Sequence, residues 1–87
     1  MISPAQCRAA RGLIDWPASK LSRRSGVKTY DIRQFERGST KLRERENAAV
    51  RSVLEDAGIE FIDGNGGGAG VRFRAPNNDA QTSQMSS

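Results

Sequence analysis

The spacing of small and apolar residues in the middle of this chain is the sequence feature that most constrains its fold. Six such residues are spaced over fifteen positions: Leu21, Ser22, Gly26, Val27, Ile32 and Phe35. A small residue allows two short helices to touch, a glycine allows the tight turn between them, and apolar residues hold the second helix on the protein body. The pattern therefore predicts two short helices that pack at a steep angle across a tight turn.

Helix-start and helix-stop signals extend this pair to four helices. Ser3 can cap a helix, and Gln6, three residues later, completes a capping box. A first helix is therefore expected from Pro4 to about Ile14, with apolar or small residues recurring on one face. The other three helices are expected over about residues 17–25, 29–37 and 43–57, and a glycine follows each of them: Gly26, Gly38 and Gly58.

The pattern changes from helix to strand after residue 58. Ile59–Ile62 is a short apolar run, and residues 71–74 alternate apolar and basic with a period of two. Residues 63–70 between them contain five glycines, so we expect a β-hairpin with a flexible turn. A phosphate-binding loop is not expected there, because such a loop leads into a helix. Residues 75–87 are polar without an apolar pattern and are expected to form a disordered tail.

Length and composition exclude several classes of protein. The chain has 87 residues, enough for a single domain. No apolar run approaches the ~18 residues of a membrane span, and none follows Met1, so we expect neither a membrane segment nor a secretory signal. With one cysteine, Cys7, and no histidine, we expect no disulfide, no metal, no other cofactor and no enzymatic activity. These features favour a cytoplasmic, non-catalytic domain.

Positive charge is concentrated in one part of the chain. The formal net charge of the whole sequence is +4. Residues 20–45 alone hold nine basic and three acidic residues, a net charge of +6 (9 − 3). A field of this sign attracts polyanions, of which nucleic acid is the commonest in the cytoplasm. Charge alone leaves open the alternative of an ordinary solvated surface.

Residues on the first three predicted helices carry a family resemblance. In addition to the spacing described above, the resemblance rests on two single residues and on the end of the third helix: Arg11, Trp16 and Phe35-Glu36-Arg37-Gly38. In these residues the chain resembles the Cro/C1-type (XRE-family) helix-turn-helix domains of phage repressors and small bacterial regulators, over about residues 3–58. The resemblance implies a mainly α, four-to-five-helix, phage-repressor-like domain over residues 1–58, with the short β-hairpin at 59–74 and the tail after it.

The resemblance also gives a role to a charge on the first helix. In this family an Arg of the first helix pairs with the Glu that ends the third, and these positions are Arg11 and Glu36 here. Arg11 lies on the same helix face as Cys7 and Ala10, where a charge needs a partner. We therefore expect a structural lock rather than two independent surface charges, which as a pair would contribute under about 1 kcal/mol.

The resemblance implies which residues contact DNA. In this family the third helix, about residues 29–37 here, enters the major groove, and four residues carried over by position are candidate base readers: Thr29, Tyr30, Arg33 and Gln34. Gln can bond adenine in a bidentate way, Arg favours guanine, and the Thr methyl can pack on thymine. Contacts to the DNA backbone are expected at four flanking basic residues: Lys28, Arg37, Lys41 and Arg43.

The sequence departs from the family pattern at several positions. Pro17-Ala18 stands where the family usually has Ser-Gln, whose Gln contacts the DNA backbone and braces the reading helix. Lys28 stands where a Ser or Thr usually caps the third helix, and Ser25 and Asn47 stand where an apolar residue is common. The chain therefore lacks one backbone contact and one helix cap that the family uses.

The leading hypothesis is a sequence-specific, double-stranded DNA-binding transcriptional regulator, such as a repressor, that binds a two-fold operator as a homodimer. The hairpin offers an edge for a second copy, although it could equally cover the core of its own domain. The dimer candidates are four apolar residues of its two strands: Ile59, Phe61, Val71 and Phe73. Two alternatives use the same fold: a protein-binding antitoxin or antiactivator module, and an accessory factor that bends DNA for recombination.

Overall fold

The chain forms four α-helices followed by a two-stranded antiparallel hairpin in a computed structural model, which describes residues 1–64 and 68–74. The predicted mainly helical architecture with a C-terminal hairpin is confirmed. The expected tail at 75–87 lies outside the described residues, as does the centre of the glycine-rich turn. In chain order the elements are α1 (Pro4–Ile14), α2 (Ala18–Ser25), α3 (Thr29–Glu36), α4 (Glu44–Asp56), β1 (Ile59–Ile62) and β2 (Gly70–Phe73).

The ends of the helices follow from local sequence signals. Ser3 Oγ accepts a hydrogen bond from the Gln6 N–H at 3.1 Å, and Gln6 Oε1 accepts one from the Ser3 N–H at 2.9 Å, so the predicted capping box opens α1. Gly26 ends α2 with a φ of 79°, in the left-handed region that favours glycine. Lys28 precedes α3 without a side-chain cap. Each helix end lies within about one residue of its predicted place.

A single apolar core joins the helices and the hairpin. The four apolar residues that predicted the packing of α2 and α3 all lie in it, and α3 contacts both α1 and α2. Ile14, Trp16, Val53 and Val71 pack against it from the edge. The buried apolar residues are Ile2, Cys7, Ala10, Ala18, Leu21, Val27, Ile32, Phe35, Leu42, Val50, Leu54, Ile59 and Phe61.

The hairpin covers the core of its own domain, which is one of the two roles that the sequence left open. β1 and β2 pair with Ile59 opposite Phe73 and Phe61 opposite Val71. Ile59 is fully buried and Phe61 nearly so. These two residues are therefore unsuitable as dimer contacts, because their side chains are already enclosed within one copy of the chain. Phe73, in contrast, is 56% exposed.

Two buried polar side chains tie the N-terminal segment to the rest of the fold. Asn47 Oδ1 accepts a hydrogen bond from the Ile2 N–H at 2.9 Å, and Asn47 Nδ2 donates one to the Ile2 carbonyl at 3.0 Å. Gln6 Nε2 donates to the carbonyls of Ile62 and Gly70, each at 3.1 Å. These contacts satisfy both side chains inside the protein, and they explain why a polar residue stands at position 47.

Candidate functional site

The outer face of α3 carries all four candidate base readers: Thr29, Tyr30, Arg33 and Gln34. At about 100° per residue, they span an arc of roughly 140° of the helix. Ile32 and Phe35 lie on the opposite side of α3, in the core. Tyr30 is 70% exposed, Arg33 is exposed, and Thr29 and Gln34 are half-buried. The structure therefore brings the four side chains to one solvent-facing surface.

Three of the four expected backbone contacts lie beside the amino end of α3. Lys28, Lys41 and Arg43 line one groove, between the turn before α3 and the loop that leads into α4. All three are exposed. Two carboxylates, Asp31 and Glu46, line the same groove, so its charge is mixed with an excess of one positive group.

The fourth expected backbone contact, Arg37, lies at the other end of α3. It is the residue that follows the helix, and it is exposed. Arg37 shares a cavity with Arg33, Glu36 and a residue of α1, Arg8. Arg8 is not among the residues that the sequence predicted to contact DNA. A signal was available, because Arg8 precedes Arg11 by three residues and so lies on a neighbouring part of the same helix face.

A bidentate ion pair joins α1 to the end of α3. Arg11 Nε donates to Glu36 Oε2 at 2.8 Å, and Arg11 Nη2 donates to Glu36 Oε1 at 2.6 Å. The third nitrogen, Nη1, donates to the Trp16 carbonyl at 2.8 Å, after α1 has ended. The side chains of Arg11 and Glu36 are 19% and 6% exposed. The structure thus brings the two residues of the expected lock into direct contact.

Cys7 completes the surroundings of the Glu36 carboxylate. Its Sγ donates a hydrogen bond to Glu36 Oε2 at 3.0 Å. Burial, and then the hydrogen bond to Glu36, raise the pKa of the Cys7 thiol, which therefore stays protonated and acts as the donor. Burial alone would raise the pKa of Glu36. Hydrogen bonds from Arg11 and Cys7, with the positive charges of Arg11 and Arg8, outweigh burial and hold that pKa below its usual value.

Trp16 supports a second group of basic side chains on α2. Trp16, between α1 and α2, is half-buried at the edge of the core. Lys20 Nζ lies 4.8 Å from the centroid of its ring, and the Arg24 guanidinium lies 5.6 Å from it. These distances are those of cation–π contacts. Lys20 and Arg24, two basic residues of the positively charged stretch 20–45, therefore both contact the ring of Trp16.

Within residues 1–64 and 68–74, no group of three or more Cys, Asp or Glu residues is arranged to hold a metal ion. None of the helices described above has the length and apolar character required to cross a membrane. No protein-family model matches the chain, and a search of curated proteins finds no match. The fold and the site define a small, mainly helical protein with a polar helix face bordered by basic residues.

Proposed function

We propose that this protein is a sequence-specific, double-stranded DNA-binding transcriptional regulator of the Cro/C1 type. The observation that carries the proposal is the outer face of α3, where polar side chains with base-reading chemistry lie between basic residues at both helix ends. An α-helix with its side chains is about 10–12 Å in diameter, and the major groove of B-DNA is about 12 Å wide. We propose that α3 enters that groove.

The side chains on this face differ in what they can recognise. Gln34 can form two hydrogen bonds with adenine, and Arg33 can form two with guanine. The methyl group of Thr29 can pack on the thymine methyl. Tyr30, whose side chain is largely exposed, can reach a base edge or a phosphate. The four together give the surface the chemistry to discriminate between sequences.

The Arg11–Glu36 pair supports this proposal because it fixes α3 to the body of the protein. Two hydrogen bonds from the Arg11 guanidinium link α1 with the end of α3, and a third holds the guanidinium to the Trp16 carbonyl, between α1 and α2. A reading helix held in this way loses little freedom when it docks, so more of its contact energy is available for binding. This arrangement favours recognition by a rigid helix.

We propose that the regulator binds as a homodimer on a two-fold site. One module of this size buries little DNA surface, so two copies on related half-sites give the affinity of a regulator. Phe73 is the dimer candidate whose side chain remains largely exposed. A second copy would cover it.

Binding to two DNA fragments tests the proposed function. One is the region upstream of the protein's own gene, and the other is the same fragment with its sequence scrambled. We expect the upstream fragment to bind more tightly by about 10³-fold or more. The double variant Arg33→Ala/Gln34→Ala should lose this preference and keep the weaker, salt-sensitive binding. Arg72→Ala is the control, since it removes one positive charge from the hairpin and should keep the preference.

Two results would contradict the proposal and point to the alternatives. If the protein binds both fragments equally and loses this binding by about 200 mM salt, its positive charge attracts DNA of any sequence and reads none. A protein partner would then be the better explanation. Strong bending of DNA with little sequence preference would favour an accessory role in recombination instead.

A further inference from the structure

Three arginines from two helices surround one cavity at the carboxyl end of α3. Arg8 comes from α1, Arg33 lies in the last turn of α3, and Arg37 directly follows that helix. Glu36 completes the lining. All three arginines are exposed, so the cavity is accessible from solvent.

The Glu36 carboxylate forms its ion pair with Arg11 and not with any of these three arginines. Both of its carboxylate oxygens accept hydrogen bonds from Arg11, and one also accepts the Cys7 thiol. Arg8 Nη1 donates instead to the main-chain carbonyl of Glu36, at 2.5 Å, and that group carries no net charge. The ion pairs of residues 1–64 and 68–74 join other residues: Arg11–Glu36, Arg51–Glu55 and Arg72–Glu60. The residues that line the cavity therefore include three arginines, and the one carboxylate among them is already paired with Arg11.

The hydrogen bond to Glu36 fixes Arg8 at this position. A cation at the carboxyl end of a helix interacts favourably with the helix dipole and with the unpaired carbonyls there. A guanidinium has five N–H donors, and this contact uses one of them. Arg8 is therefore positioned by the protein while most of its donors can still bind a ligand.

We propose that Arg8 and Arg37 form a binding site for a phosphate of the DNA backbone, with Arg33 between this site and the base-reading face. The inference rests on the proposed function and adds to it a contact from α1. Guanidinium groups match the oxygens of a phosphate geometrically and bind it through charge-assisted hydrogen bonds. Since Lys28, Lys41 and Arg43 lie at the other end of α3, phosphate contacts are placed at both ends of the helix, one for each backbone that borders the groove.

The salt dependence of DNA binding tests this site. The probe is a labelled random-sequence duplex, since phosphate contacts do not require a particular sequence. Each phosphate contact contributes about 0.9 to the slope of log K against log salt, and we expect Arg8→Gln to lower the slope by about that amount. If that contact contributes nothing at 1 M salt, the loss of affinity at 0.1 M salt is about eightfold. Arg37→Gln should give a similar change.

Three variants separate a phosphate contact from other effects. Arg72→Gln removes the same charge from the hairpin, whose neighbours are α1 and α4, and should leave the slope unchanged. Arg8→Lys keeps the charge and should keep most of the slope. A thermal melt of each variant shows whether the loss of the hydrogen bond to Glu36 also lowers the stability of the protein. A change in stability by itself does not alter the number of phosphates contacted, so it does not change the slope.

The possible outcomes distinguish this inference from the proposed function. If the unmodified protein binds no duplex at low salt, both fail. If it binds, and Arg8→Gln and Arg37→Gln have the same slope as Arg72→Gln, the site at the carboxyl end of α3 is wrong while DNA binding stands. Exchange of chloride for inorganic phosphate at constant ionic strength should leave DNA binding unchanged. Specific displacement of the duplex by phosphate would instead identify a site for the free ion and overturn the inference.

Discussion

At the scale of single residues, Glu36 joins the end of α3 to three side chains of α1. Its carboxylate accepts hydrogen bonds from Arg11 and Cys7, and its carbonyl accepts one from Arg8. The family resemblance predicted the contact with Arg11. It did not predict the contacts with Cys7 and Arg8, because those residues carry no motif, and their distance from Glu36 depends on how α1 packs on α3.

Removal of the Glu36 charge should destabilise the protein. Glu36→Gln leaves the Arg11 guanidinium without its counter-ion in a partly enclosed site, and we expect a loss of about 3 kcal/mol in the free energy of unfolding by urea. Glu55→Gln is the matched control. Both partners of the Arg51–Glu55 pair are more than a third exposed, so its loss should cost about 0.5 kcal/mol or less. Equal losses in the two variants would show that the buried pair has no special role.

The lowered pKa of Glu36 also predicts how stability changes with pH. Its folded pKa lies below the ordinary value of 4.5, so the folded state favours the charged form. The stabilisation is then fully present above about pH 5 and is lost as pH falls below 4.5 through the folded pKa. The difference in unfolding free energy between the unmodified protein and Glu36→Gln should shrink over that range. A difference that stayed constant into strong acid would contradict the assignment.

At the scale of helices and strands, local signals were enough to place each element. The capping box at Ser3 and the glycines at 26 and 58 mark helix ends within a few residues of chain, and the apolar run of β1 follows directly. The sequence could not show that Gln6 joins α1 to both strands of the hairpin. Its role in the capping box accounts for its Oε1 atom, whereas the partners of Nε2 are 56 and 64 residues away.

The link between α1 and the hairpin can be tested with one isosteric change. Gln6→Glu keeps an oxygen for the Ser3 N–H but places a second oxygen against the carbonyls of Ile62 and Gly70. We expect a loss of about 1–3 kcal/mol in stability. Amide hydrogen exchange should become faster in the hairpin, including the Arg74 N–H, which donates to the Gly58 carbonyl.

A second variant isolates the cap from the link. Ser3→Ala removes the acceptor for the Gln6 N–H and should cost about 1 kcal/mol, while exchange in the hairpin stays as it was. If Gln6→Glu also leaves hairpin exchange unchanged, the two hydrogen bonds from Gln6 Nε2 do not hold the hairpin in place.

At the scale of the whole molecule, the remaining question is which surfaces meet partners. The polar face of α3 could be anticipated from the sequence, because the core residues Ile32 and Phe35 fix the opposite side. The sequence could not show which apolar residues of the hairpin are buried and which are exposed, since all four candidates alternate in the same way along their strands. Ile59 and Phe61 are buried in the core, whereas Phe73 is largely exposed, and only the packed structure separates the two cases.

This division predicts opposite effects of two hairpin substitutions. Phe73→Asp should leave the melting temperature nearly unchanged, because the ring is largely exposed, and should convert the proposed dimer to a monomer in sedimentation equilibrium. Ile59→Ala removes a fully buried side chain and should cost about 2–5 kcal/mol. A Phe73→Asp protein that sediments like the unmodified one would place the dimer contact elsewhere.

The hydrogen bonds of Asn47 and Gln6 also have a consequence for synthesis. They connect the first residues of the chain with partners 45, 56 and 64 positions later. The ribosome makes the beginning of α1 several seconds before its partners in the hairpin, at about 5–20 residues per second. We therefore expect a copy cut short before residue 70 to lack one of the contacts that hold α1, and to be cleaved by proteases more readily than the full chain.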